Sequence, residues 1–166
     1  MWPTILAVAV AAVFDLRTQR IPNWIVGPFL VAGLVAAAAV DGLPGVKASL
    51  LGILLAVLIA GPLCYLRGLG MGDLKLLAAV GAWIGPSQLG LAMVVTAVTG
   101  GLLAVVYAWR RRSLDRCLQG AGDLILDFPN RGLRPHRTLT LENPEAVRMP
   151  YGVAIAFGTI FSFFAR

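Results

Sequence analysis

Charge is scarce in this 166-residue chain: Asp, Glu, Lys and Arg together make up 13% of it, against 58% apolar residues. That is too little polar surface to coat a soluble domain of this size, and a mean hydropathy of +0.82 agrees. Histidine occurs once, as His136 in a polar stretch without a ligand-spaced partner, so no metal site is expected. Cysteine occurs twice, as Cys64 in an apolar run and Cys117 in a polar one, and never as CxxC. That spacing excludes a zinc or redox motif and leaves both as small, apolar-behaving residues. Ser49, Ser87, Ser113 and Ser162 lack the setting of a nucleophile elbow. The Gly68–Gly72 run lacks both the preceding strand and the Lys-Ser/Thr ending of a phosphate loop. No cofactor is expected. Met1-Trp2-Pro3 carries no basic region, so the first apolar block reads as a retained helix and not as a cleaved signal.

What is present is a series of long apolar blocks, over about Trp2–Phe14, Trp24–Val40, Ala48–Leu66, Leu74–Ile84, Leu89–Trp109 and Pro150–Ala165. Their lengths point to an all-α, polytopic membrane protein with about six transmembrane helices. The first block reaches spanning length only if its helix continues through Asp15 and Leu16 toward Gln19, which puts Asp15 at the membrane boundary. Ile21-Pro22-Asn23 then stops it, since proline disfavours helical geometry in the residue before it. Asp41-Gly42-Leu43-Pro44-Gly45 reads as a turn, Gly61-Pro62 predicts a kink, and Gly85-Pro86-Ser87 ends the short fourth block. Gly81 and Gly85 form a small-xxx-small pair suited to close helix packing. The whole of 1–166 reads as one integral-membrane domain, with 110–149 as a polar loop within it.

The net charge of +6 is placed by topology. Of the 14 Lys and Arg residues, only Lys47 and Arg166 fall on one side of the six-block arrangement. The other twelve lie in the first, third and fifth loops, which sets those loops in the cytoplasm, beside anionic lipid, with both termini outside. Charge interleaved with apolar blocks in this way argues for membrane orientation and against nucleic-acid binding.

Eight acids remain to be explained. Asp41 lies in a turn, and Asp115, Asp123, Asp127, Glu142 and Glu145 lie in the polar stretch, where solvated charge is the ordinary state. Asp15 and Asp73 alone abut apolar helices, both at cytoplasmic ends, where an ionisable group marks a functional site by default. An interfacial ion pair with Arg17 or Lys75 is the bland alternative. Two carboxylates brought together share a proton, and such a pair hydrolyses amides by letting one acid activate water while the other hydrogen-bonds the scissile carbonyl. Asp73 opens a helix and Asp15 lies toward the end of one, which nominates Asp73 as base and Asp15 as initial acid.

Three stretches resemble the prepilin peptidases, or type IV leader peptidases, of the GxGD membrane aspartic proteases. Asp15-Leu16-Arg17-Thr18-Gln19-Arg20-Ile21-Pro22-Asn23 is similar to the family's first-aspartate motif. Gly70-Met71-Gly72-Asp73-Leu74-Lys75 is similar to its second, and Met149-Pro150-Tyr151-Gly152-Val153-Ala154 to the proline-aromatic-glycine start of its last helix. The resemblance implies the GxGD protease fold in the bacterial inner membrane. It implies an endopeptidase removing a short basic leader from type IV prepilins or pseudopilins at the cytoplasmic face. Asp15 and Asp73 would then be catalytic, with Gly70, Gly72, Lys75, Pro22, Asn23, Pro150, Tyr151 and Gly152 shaping the site. Larger family members carry paired CxxC motifs in an insertion after the first helix, associated with methylation of the new N-terminus. Only a short loop separates Asp15 from Trp24 here, so the chain resembles the compact peptidases of Flp, or tight-adherence, pilus systems without the methyltransferase segment.

Three other readings are open on the residues: a presenilin-like intramembrane protease, a small ion or solute transporter using the two acids as cation sites, and a structural membrane partner of a secretion assembly. The charge bias makes its own prediction. A reporter active only outside the cytoplasm, fused after Arg166, should be active, and one inserted in the 110–149 stretch should be silent; the reverse pattern would overturn the orientation.

Overall fold

A computed structural model of the chain describes residues 2–18, 22–66, 68–110 and 151–165, and these are helical apart from short connections, with no strand among them. The polar stretch 111–149, Pro150 and residues 19–21 of the first motif lie outside the described residues. The helices are α1 (Trp2–Thr18), α2 (Asn23–Tyr65), α3 (Met71–Arg110) and α4 (Tyr151–Phe164).

Two of the helices are continuous only in outline. α2 breaks at Gly42, with φ 60° and ψ −139°, and α3 breaks at Gly85, with φ 72° and ψ 178°. Both are backbone states that L side chains avoid, so glycine is what permits the chain to redirect there. The predicted turn at 41–45 therefore contracts to one residue, and Leu43, Pro44 and Gly45 already belong to the next helical segment, where Pro44 fits a first turn. The Gly85-Pro86 stop is where the sequence placed it. The small-xxx-small pair of Gly81 and Gly85 faces the second segment of α2, Gly81 against Gly52 and Gly85 toward Ala48, although the helix breaks at its second member. Within α2 only Gly42 leaves helical φ/ψ, so Gly61-Pro62 interrupts nothing and instead sits one turn before the helix end.

Two helices, α2 and α3, are long and apolar enough to cross a membrane. At ~1.5 Å per residue, the two segments of α2 are roughly 28 and 34 Å long, close to the ~30 Å hydrocarbon layer. Their outer faces carry Val35, Leu58, Val94 and Leu102, each about 62% exposed, as a lipid-facing surface requires.

The first segment of α3 is the centre of the molecule. Leu76, Leu77, Ala78, Ala79, Val80, Gly81 and Ala82 are buried consecutively, so every side of this segment meets protein. α2 packs most extensively on α3, α4 lies on α3 and α1, and α1 reaches α3 and α2 more lightly. The closest approach is backbone to backbone: a Cβ built on Gly52 would collide with the Gly81 carbonyl, and one on Gly81 would lie 2.7 Å from the Gly52 oxygen. Around that contact, the buried Ser49 hydroxyl donates to the Ala82 carbonyl at 2.6 Å. Trp83 donates through Nε1 to the Phe29 carbonyl at 2.9 Å, and its ring stacks on Phe29 with centroids 5.2 Å apart. Gly33 leaves room for that indole. The two segments of α2 thus grip α3 on either side of Gly81, one through Gly52 and Ser49 and the other through Phe29 and Gly33.

Gly52→Ala should therefore destabilise the protein by about 1–3 kcal/mol through overpacking. Gly90→Ala, where an added Cβ has open space, should be neutral or stabilising by up to about 1 kcal/mol from helix propensity. Thermal melting in detergent distinguishes them, and equal shifts for the two variants would contradict the close contact.

Candidate active site

The connection from α2 to α3 is built to present a carboxylate. The end of α2 is tied off by Leu66 N–H donating to the Pro62 carbonyl at 2.9 Å and Gly68 N–H to the Leu63 carbonyl at 3.0 Å. Gly70 then caps α3: its carbonyl accepts from Asp73 N–H at 3.1 Å and from Leu74 N–H at 3.3 Å. The Asp73 carboxylate reaches back to the Gly70 N–H. This is the acidic half of a capping box, with the acid in the third helical position and a glycine, which has no side chain to reciprocate, at the N-cap. A side chain at Gly70 would run into it, since an added Cβ would lie 2.9 Å from Asp73 Oδ2. Helix α3 starts three residues earlier than the apolar run suggested, so Gly72 lies inside its first turn and not in a free connector.

Asp15 arrives from the last turn of α1 and is 6% exposed. Its Oδ2 accepts the backbone N–H of Gly152 at 2.7 Å, across 137 residues of sequence. Gly152 is the second residue of α4, and a Cβ there would stand 3.0 Å from both the Asp15 Cβ and Oδ2. Both acids therefore face backbone N–H groups at helix starts, Asp73 its own helix's and Asp15 that of α4. The helix-end reasoning that separated base from acid loses its force, because it counted only the helix to which each residue belongs.

The two acids are near enough for their charges to act on each other. The same field from Asp73 reaches the Tyr151 phenol and the Cys64 thiol. Tyr151 opens α4, and its ring lies against Gly100, where an added Cβ would overlap the ring edge. Cys64 donates weakly through Sγ to the Gly70 carbonyl at 3.4 Å. Among the described residues, no group of three or more His, Cys, Asp and Glu side chains is assembled as a metal site would require.

Of the residues singled out in the sequence, Asp15, Asp73, Gly70, Tyr151 and Gly152 gather here. Lys75 and Asn23 find each other instead, with Nζ donating to Oδ1 at 3.0 Å, and so tie the start of α2 to the start of α3. Pro22 is the extended residue before α2. The Lys75–Asn23 pair borders a groove of about 520 Å³ over Val26, Leu30, Val57 and Leu74, which neither acid lines. Pro150 is outside the described residues. The sequence reading missed two contributors. Cys64 looked incidental, since nothing local links it to Gly70. Gly100 belongs to a glycine pair within an apolar run, and no sequence signal distinguishes it from Gly101, which has open space.

The family model for the type IV leader peptidase family matches residues 2–105. A prepilin leader peptidase/N-methyltransferase of Escherichia coli K12 is 36% identical over 111 residues, covering 62% of this chain and 49% of that protein. One from Dickeya chrysanthemi is 37% identical over 110 residues, covering 63% of this chain and 38% of its own length. One from Burkholderia pseudomallei is 31% identical over 113 residues, covering 64% and 36%. The chain thus spans between about a third and a half of these relatives. No solved structure matches. With a family match over most of its described helices, the chain belongs to the type IV leader peptidase family.

Proposed function

We propose that this chain is a membrane aspartic endopeptidase that removes the leader peptide from type IV prepilins or pseudopilins. The observation that supports the reading is that two acids from separate motifs, Asp15 and Asp73, lie within reach of each other's charge, each beside a backbone N–H at a helix start. Family membership supplies the substrate class, since the relatives are named for prepilin leaders. On this reading the chain is one membrane domain of six spans in the GxGD fold. The segments on either side of Gly42 and Gly85 cross separately, and 110–149 is a cytoplasmic loop. Both acids then stand at the cytoplasmic face of the bacterial inner membrane, where a basic leader is available before its hydrophobic segment enters the bilayer. The short connection between Asp15 and Trp24 favours the compact, Flp-associated type.

The chemistry is that of a carboxylate pair sharing one proton. The ionised acid accepts a proton from water as its oxygen attacks the scissile carbonyl carbon. The protonated acid hydrogen-bonds the carbonyl oxygen and later supplies a proton to the departing amine. Because the two titrate as a unit, the roles belong to the pair. The backbone donors Gly152 N–H and Gly70 N–H fix the carboxylates without adding charge, which preorganises them for the step.

Asp15→Asn and Asp73→Asn should each reduce cleavage of a prepilin precursor by about 10²–10⁴-fold or more, the span of general acid–base catalysis, with folding intact by thermal melting. Normal processing by either variant would sink the dyad, and ion flux dependent on both acids would favour a transporter. Gly152→Ala should act through Asp15: displacing its carboxyl by ~1 Å costs roughly 10²-fold in kcat. An undiminished rate in that variant would mean that the Gly152–Asp15 contact is not part of the working geometry.

A further inference from the structure

Helix α4 does more at its first turn than hold Asp15. Gly152 N–H binds the Asp15 carboxylate, and the residue before it, Tyr151, lies half-buried with its phenol in the field of Asp73. Two adjacent residues of one rigid helix therefore address the two acids. The ring is seated by Gly100 in the second segment of α3. Any side chain at 100 would meet the ring edge, whereas Gly101 has nothing within 4 Å. Glycine in a helix interior costs up to about 1 kcal/mol relative to alanine, and at position 100 the compensating gain is room for this phenol. Among the described residues the Tyr151 hydroxyl has no hydrogen bond. A half-buried phenol is usually bonded, so this one is a donor left available at the site.

Resting on the peptidase reading above, we propose that Tyr151 is a third catalytic group: its hydroxyl donates a hydrogen bond to the scissile carbonyl oxygen as water attacks, and Gly100 is the positioning residue that seats it. In that step the water oxygen bonds to the carbonyl carbon, the carbonyl π pair moves onto oxygen, and the water proton passes to the ionised carboxylate of the pair. Tyr151 stabilises the charge gathering on that oxygen and keeps its own proton. Collapse restores the carbonyl and breaks the C–N bond, and the amine takes the proton from the protonated acid. A donor of this kind is stronger in the transition state than in the ground state, so its loss falls on kcat.

The test uses the purified full chain in lipid vesicles with a prepilin precursor, and compares Tyr151→Phe, Gly100→Ala and the double variant with Asp15→Asn and Asp73→Asn. Tyr151→Phe keeps the ring on Gly100, so melting should be unchanged while kcat falls about 10²–10³-fold, the cost of removing one oxyanion donor. KM should change by less than about threefold. Gly100→Ala should lower kcat by displacing the ring, and the double variant should be no worse than the lower single, since both remove the same hydrogen bond. Inactive Asp variants beside a Tyr151→Phe that keeps its kcat, or changes KM alone, overturn this proposal and leave the peptidase reading standing. Full cleavage by the Asp variants overturns both.

Discussion

The contact of Gly52 with Gly81 is the constraint on which the other features depend. Two backbones meet there without intervening side chains, inside the stretch of α3 that is buried without a break from Leu76 to Ala82. In a lipid setting there is little hydrophobic gain from pressing apolar helices together, so association relies on close packing and a few hydrogen bonds. Ser49 and Trp83 supply such bonds on either side of the glycines, and both are given to backbone carbonyls. A segment clasped in this way has little freedom to slide or rotate. Its first turn, which carries Asp73, is placed accordingly.

The site then follows from helix starts. Asp73 caps its own helix against Gly70, and Asp15 is held by the second residue of α4. Backbone N–H groups at helix N-termini are the natural partners of carboxylates, and using two of them spares the site a charged side chain. Arg17 and Lys75, the obvious counter-ions in the sequence, stand outside the arrangement: Lys75 is bonded to Asn23, and Arg17 lies on the exposed end of α1. A permanent cation beside two acids favours their ionised forms, so its absence from this arrangement suits the proton-sharing pair proposed above.

The fold was legible wherever local chemistry decides it. Apolar run length marked the helices, and Gly42 and Gly85-Pro86 marked the breaks, because positive φ and proline act on the chain itself. Boundaries shifted where capping overrides hydropathy. Helix α3 starts at Met71, since Gly70 and Asp73 complete a cap upstream of the apolar residues. The acids stood out because ionised groups next to apolar helices are rare, whereas the bond between the first motif's Asn23 and the second motif's Lys75 was not announced by the sequence.

What stayed hidden were the through-space partners. Gly81 and Gly85 offered a small-residue face, but nothing named Gly52 as what it meets; Cys64 gave no sign of touching Gly70, nor Gly100 of seating Tyr151. The reason is physical. In a soluble helix the buried face is the apolar one, so periodicity reveals it. Here the face toward lipid is as apolar as the face toward protein, and periodicity carries no such mark. Composition and spacing alone determined that this chain is helical, put breaks near Gly42 and Gly85, and singled out two acids beside apolar helices. Only the tertiary packing decided which faces meet, and so that Asp15 answers to a backbone N–H at the far end of the chain.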